Sequence, residues 1–153
     1  MKRRRLLASG LVGVAGIAGC LGSVDRLGGE DTVRPSEIVA TDFETGVETE
    51  ASVGDDPKIE TDDEAAMVTV EGVGEYGSSS CGYLTDRPPS YDREHAELSL
   101  EVGTGREEPD EDDICGDDLA ADSYRFVVEF DEGVPVRIEA EHPFSQTATK
   151  KTE

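Results

Sequence analysis

The sequence predicts an all-β domain, a small immunoglobulin-like β-sandwich of five or six short strands closed by one disulfide. Three observations carry this expectation. Apolar residues recur at every second position in several windows, the spacing that lines one face of a strand. No window offers a convincing amphipathic helix; helical spacing competes only across Asp118 to Asp122, a stretch too short and too polar to matter. Besides Cys20 there are two cysteines in a chain that is only 35% hydrophobic, and a cross-link reinforces so small a core. At 153 residues there is room for one such domain.

In chain order, the first element is an address. Lys2 to Arg5 form a basic start, Leu6 to Gly19 a mildly apolar run, and Cys20 follows. The run is 14 residues long and contains Gly10, Gly13, Gly16 and Gly19, whereas a membrane-spanning helix needs about 20 apolar residues. Residues 1–19 therefore read as an export signal. Within them Arg3 and Arg4, followed by Leu6 and Leu7, resemble the twin-arginine signal that passes folded cargo. Ile17-Ala18-Gly19-Cys20 resembles a lipobox, which makes Cys20 the lipidation site. The expected location is the outer face of the cytoplasmic membrane, with lipid on Cys20 as the anchor. Residues 20–34, with Gly22, Gly28 and Gly29 and no apolar periodicity, read as a tether.

Charge narrows the function classes. The whole chain has 14 bases, 36 acids and a net charge of −22. Four of the bases and none of the acids lie in the leader, so the exported part is more acidic still. Such a surface repels phosphate backbones, and nucleic acid is excluded as a partner. Self-repulsion of this size strains a compact fold at low salt, while at molar salt the Debye length falls to about 3 Å. With no asparagine and a single glutamine, Gln146, the composition resembles that of halophilic proteins.

Residues 35–144 are the expected domain. Val39, Thr41 and Phe43 suggest an opening strand after Pro35. Ala66, Val68 and Val70 form a second, ended by Gly72 and Gly74. Ala96, Leu98, Leu100 and Val102 form a third, closed by Gly103-Thr104-Gly105. Tyr124, Phe126, Val128 and Phe130 alternate with polar neighbours, Asp131-Glu132-Gly133 turns the chain, and Val134, Val136, Ile138 and Ala140 alternate again. That pattern predicts a β-hairpin. Residues 145–153 read as a frayed polar tail.

With Cys20 lipidated, Cys81 and Cys115 are left as an even pair in an exported protein, and a disulfide is the natural reading. Closing that loop stabilises by about 3.5 to 4 kcal/mol in the chain-entropy model. No cofactor is expected. A copper site needs a histidine and a methionine soon after a cysteine, and Cys115 is followed only by His142, with no methionine after it. Eight carboxylates, Glu107, Glu108, Asp110, Glu111, Asp112, Asp113, Asp117 and Asp118, surround Cys115. Asp110, Asp112, Asp113 and Asp117 are the candidate ligands for a hard cation such as Ca²⁺, but the EF-hand spacing is absent and no specific metal is expected. Gly77 to Gly82 holds three serines; without a following helix it does not read as a nucleophile elbow, and no catalytic residue is expected.

From Ile38 to His142 the chain resembles a group of uncharacterised lipoproteins of halophilic archaea. The resemblance rests on Val39 to Glu44, Val68-Thr69-Val70-Glu71-Gly72, a cysteine after a small polar turn, Leu98 to Gly103, a second cysteine, and Tyr124 to Val128 with Val134 to Ile138. Relatives often carry more cysteines in the two loops. The resemblance implies a secreted, disulfide-bonded β domain and no catalytic residue. The functional expectation is a non-enzymatic acidic surface module that contacts another envelope protein or an exported solute, with a solute- or divalent-cation-binding receptor as the alternative and an envelope enzyme as the third.

Overall fold

The computed structural model describes residues 33–144 and 146–153. The leader 1–19, Cys20 and the tether as far as residue 32 lie outside the described residues. Among the described residues there is no helix and there are nine strands: β1 Ile38–Thr45, β2 Lys58–Asp62, β3 Met67–Gly77, β4 Gly82–Asp86, β5 Ser90–Asp92, β6 Glu97–Arg106, β7 Leu119–Phe130, β8 Arg137–His142 and β9 Gln146–Lys151. They form two sheets, one in the order β1-β7-β3-β2 and one in the order β4-β6-β8-β9, with β5 also pairing β6. The all-β sandwich and its single disulfide are as expected, with more strands than the five or six anticipated.

Alternation places the core between the sheets. Val68, Val70, Tyr124, Phe126 and Val128 from the first sheet meet Leu84, Leu98, Leu100, Val102, Ile138 and Ala140 from the second. Phe43 packs edge-on to Phe126 at 5.5 Å, and Tyr91 edge-on to Phe130 at 5.2 Å. In β1 the register shifts between Ile38 and Ala40, so Ile38 packs on the core and Val39 is left exposed. The outward face of the first sheet carries a row Glu44, Arg125, Glu71, Lys58 in register across four strands. Its signs alternate, and Arg125 meets Glu71 at 2.6 Å. Lys58 also pairs with Glu60 at 2.8 Å, so each base of the row sits against a carboxylate.

Two hairpins are built alike. Asp62-Asp63-Glu64-Ala65-Ala66 leads into Val68-Thr69-Val70-Glu71, and Asp92-Arg93-Glu94-His95-Ala96 leads into Leu98-Ser99-Leu100-Glu101. In each, the aspartate carboxylate accepts backbone N–H groups of the turn: Ala65 at 3.0 Å for Asp62, and Glu94 at 2.9 Å and His95 at 3.2 Å for Asp92. Each turn ends on an alanine at positive φ, 51° at Ala66 and 52° at Ala96. Each alanine carbonyl then accepts a bond from the next layer of chain, Phe130 N at 2.8 Å and Val136 N at 2.9 Å. One unit thus sits in each sheet, a repeat the sequence reading did not register.

Four sequence expectations are corrected. Residues 124–140 do not form a hairpin: β7 belongs to the first sheet, and β8 belongs to the second, parallel to β6. Val134 and Pro135 are buried, so the turn crosses between the sheets and plugs their end. The tail 145–153 is not frayed, because β9 pairs antiparallel with β8 and forms a sheet edge. Gly103 to Gly105 do not close β6, which continues to Arg106 against β4. Gly72 and Gly74 lie inside β3 instead of ending it. A Cβ on Gly72 would stand 2.8 Å from the Tyr124 hydroxyl and one on Gly74 2.9 Å from Leu84 Cδ2, so both glycines make room for core side chains.

From this, Gly72→Ala is expected to destabilise by about 1–3 kcal/mol through overpacking. Gly77→Ala, where nothing lies within 4 Å of the added atom, is the control and is expected to be near neutral. Urea unfolding followed by circular dichroism checks both.

Asp131 explains the crossing. Its carboxylate accepts the Ser36 hydroxyl, Ser36 N at 2.9 Å and Glu37 N at 3.1 Å, tying the start of the domain to the β7–β8 connection. The Ser36 hydroxyl bond, then the Glu37 N–H, hold this carboxyl down to about 2. A depressed native value means stability present above the unfolded value, near 3.9, and lost as pH falls through about 2. Asp131→Asn is therefore expected to reduce stability at neutral pH and to flatten its fall between about pH 4 and 2, measured as melting temperature against pH at fixed molar KCl.

Candidate functional site

The topology gives the domain two unlike poles. At one, the described chain begins and ends. Gly133, with φ 63°, packs so closely on the Val33 carbonyl that a Cβ would sit 2.1 Å from it, and Thr152 bonds the carbonyls of Val136 and Pro135 at 3.0 and 2.5 Å. His95 also lies here, exposed, its Nδ1 2.8 Å from the Asp92 carboxylate. That hydrogen bond holds its pKa above the ordinary value.

The other pole gathers the end of β3, the start of β4, the end of β6 and the start of β7. Cys81 and Cys115 are bonded there, joining the β3–β4 turn to the acidic loop. Glu107 N donates to the Cys81 carbonyl at 2.8 Å and Ser78 N to the Asp118 carbonyl at 2.6 Å. The Ser78 hydroxyl accepts Cys81 N at 3.3 Å, and the Ser80 hydroxyl accepts Gly116 N at 3.1 Å. Hydrogen bonds from Ser79 hold the Asp118 carboxyl below the usual carboxylate range. The serines are thus turn-formers. Among the described residues there is no group of three or more His, Cys, Asp or Glu side chains placed to hold a metal ion, so Asp110, Asp112, Asp113 and Asp117 are not brought together as a cation site. The same loop presents Ile114, 92% exposed, and Leu119 at the start of β7 is 67% exposed.

His142 is buried, 1% exposed. Its Nδ1 lies 3.2 Å from the Tyr124 hydroxyl and its Nε2 2.6 Å from Gln146 Oε1. With Gln146 accepting from Nε2–H, Nδ1 is the acceptor for the tyrosine hydroxyl. Gln146 in turn donates to the Gly54 carbonyl at 3.0 Å. One chain of bonds therefore links both sheets and the β1–β2 connection. Burial pushes the Tyr124 phenol well above its ordinary value, keeping it a neutral donor.

Beside His142, on the outer face of the second sheet, Arg87, Glu101, Gly103, Thr104, Glu141 and Phe144 line a shallow groove of about 290 Å³. Glu101 and Glu141 are register partners on the parallel strands β6 and β8. Arg87 Nε is 2.8 Å from Glu101 Oε1, and Arg87 N donates to the Glu101 carbonyl at 3.0 Å. A Cβ on Gly103 would lie 2.9 Å from Arg87 Nε, so the bare glycine seats the guanidinium flat on the strand. Two residues further along, the Tyr83 ring covers Gly105 in the same way. Phe144, 63% exposed at φ 71°, stands in the β8–β9 turn.

Arg87, His142 and Phe144 were not singled out from sequence as site residues. His142-Pro143-Phe144 could have been read as a turn had the residues after it been recognised as a strand. The chain matches no protein-family model, and comparison with curated proteins and with solved structures finds no match.

Proposed function

We propose that the chain is an exported lipoprotein, anchored through lipid on Cys20 to the outer face of the cytoplasmic membrane, whose acidic sandwich is a non-enzymatic binding module. The observation that carries this reading is the polarity of the domain. Val33, the first described residue, and Thr152 near the last share one pole, and the opposite pole carries a covalently braced loop with exposed Ile114. A domain tethered through its first pole presents the second to its surroundings, and bracing lowers the ordering cost of an encounter. The non-enzymatic part is supported by the engagement of the chemical groups. His142 is sealed from solvent with both ring nitrogens bonded, and the Ser78 and Ser80 hydroxyls hold their own turn.

Two measurements test the proposal. Intact mass of protein extracted from native membranes is expected to begin at Cys20 with a lipid increment, and two thiols are expected to label only after reduction. A mass beginning at Met1 overturns the anchor. A photo-crosslinker at Ile114 is expected to give adducts in intact cells that the same probe at Glu132 does not. Monomer alone at both sites overturns a protein partner at the braced pole. The groove on the second sheet favours the alternative reading, a solute-binding receptor.

A further inference from the structure

We infer that the groove on the outer face of the second sheet is a subsite for a neutral saccharide; this rests on reading the domain as a binding module and names its ligand. The argument begins with Phe144. Its φ of 71° is left-handed, a conformation that strains residues bearing a Cβ and that glycine adopts without penalty. Its ring is also largely in solvent. Ala66 and Ala96 also take a left-handed φ as buried turn residues, so the feature particular to Phe144 is a large aromatic ring that its turn places outside the core.

The ring stands at the groove whose polar groups are already fixed. Arg87 is held by Glu101 and seated on Gly103, so its guanidinium is positioned before any ligand arrives. Glu141 lies beside Glu101 in register on the same face. An exposed aromatic ring beside a guanidinium and carboxylates matches one pyranose ring. Its C–H face stacks on an aromatic, and each hydroxyl both donates to a carboxylate and accepts from a guanidinium. An anion would meet Glu101, Glu141 and the field of the whole domain. A wholly apolar ligand would desolvate the Arg87–Glu101 pair and return no hydrogen bond.

The test uses the ¹⁵N-labelled domain in molar KCl, titrated with methyl glucoside, methyl mannoside, methyl galactoside and their disaccharides. At least one is expected to give saturable amide shifts at Arg87, Gly103, Thr104 and Phe144. Phe144→Gly is expected to raise the melting temperature while weakening that binding by about tenfold. Arg87→Gln is expected to abolish the shifts with the spectrum otherwise that of the folded domain. No saturable shift at these four amides overturns the inference, as does a Phe144→Gly variant that binds unchanged or melts lower. Shifts with tetramethylammonium chloride in place of the sugars overturn it in favour of an organic cation. Sugar-induced shifts confined to another face overturn the groove and leave the binding module standing.

Discussion

Replacing both bonded cysteines, Cys81→Ser with Cys115→Ser, is expected to lower stability by about 3.5 to 4 kcal/mol, or about 10–20 °C in melting temperature. The bond spans 34 positions, and without it the unfolded chain regains that loop's freedom. The native state also loses a brace where it is most repulsive. Eight carboxylates crowd the loop from Glu107 to Asp118, held near the β3–β4 turn by the bond and by a few hydrogen bonds. The deficit of the double variant is therefore expected to widen as KCl is lowered, because screening weakens as the Debye length grows. Calorimetry of both proteins across a salt series measures this. In hydrogen exchange, Glu107 N and Gly116 N, bonded to Cys81 and Ser80, are expected to lose protection, while the β3–β7 ladder keeps it. Equal melting temperatures at every salt concentration would show that the bond carries no stability.

What was legible in the sequence was what depends on period two. Val68 and Val70, Leu98 and Leu100, and Tyr124, Phe126, Val128 and Phe130 all face the core, because alternation states directly which face is buried. Partner choice was not legible in the same way. Asp131-Glu132-Gly133 has the composition of a hairpin turn, yet Asp131 is recruited by Ser36 and Glu37 at the start of the domain, and the next residues are buried between the sheets. Both demands are long-range, and no local window contains them. The last strand was missed for a related reason. Gln146-Thr147-Ala148-Thr149-Lys150-Lys151 has almost no apolar signal, since an edge strand needs only a neighbour's ladder and β8 supplies it. The cysteine pair was legible by counting. The groove was not, because Glu101 and Glu141 look like ordinary surface charges until the parallel pairing of β6 and β8 sets them side by side and Arg87 bonds to Glu101.

The second large effect is expected at His142. His142→Ala removes a buried ring and strands two partners, the Tyr124 hydroxyl and the Gln146 amide, in the same step. Cavity and unsatisfied polar groups together are expected to cost about 3–5 kcal/mol. Tyr124→Phe keeps the ring in the core and removes one hydroxyl, at a cost of about 1–3 kcal/mol, because Nδ1 then lacks its donor while Nε2 keeps Gln146. The double variant is expected to lose less than the sum, by about 0.5–3 kcal/mol, since each single change already strands the other's partner. Urea midpoints in molar KCl close this cycle, and strict additivity would mean the two side chains only pack. The two single variants should also differ in place. Gln146 depends on His142 and in turn holds the Gly54 carbonyl, so His142→Ala frees β9 at its first residue. Hydrogen exchange of the first β9 amides is expected to quicken in His142→Ala and to stay slow in Tyr124→Phe, because only the first removes the side-chain bond that supports the start of the β8–β9 ladder.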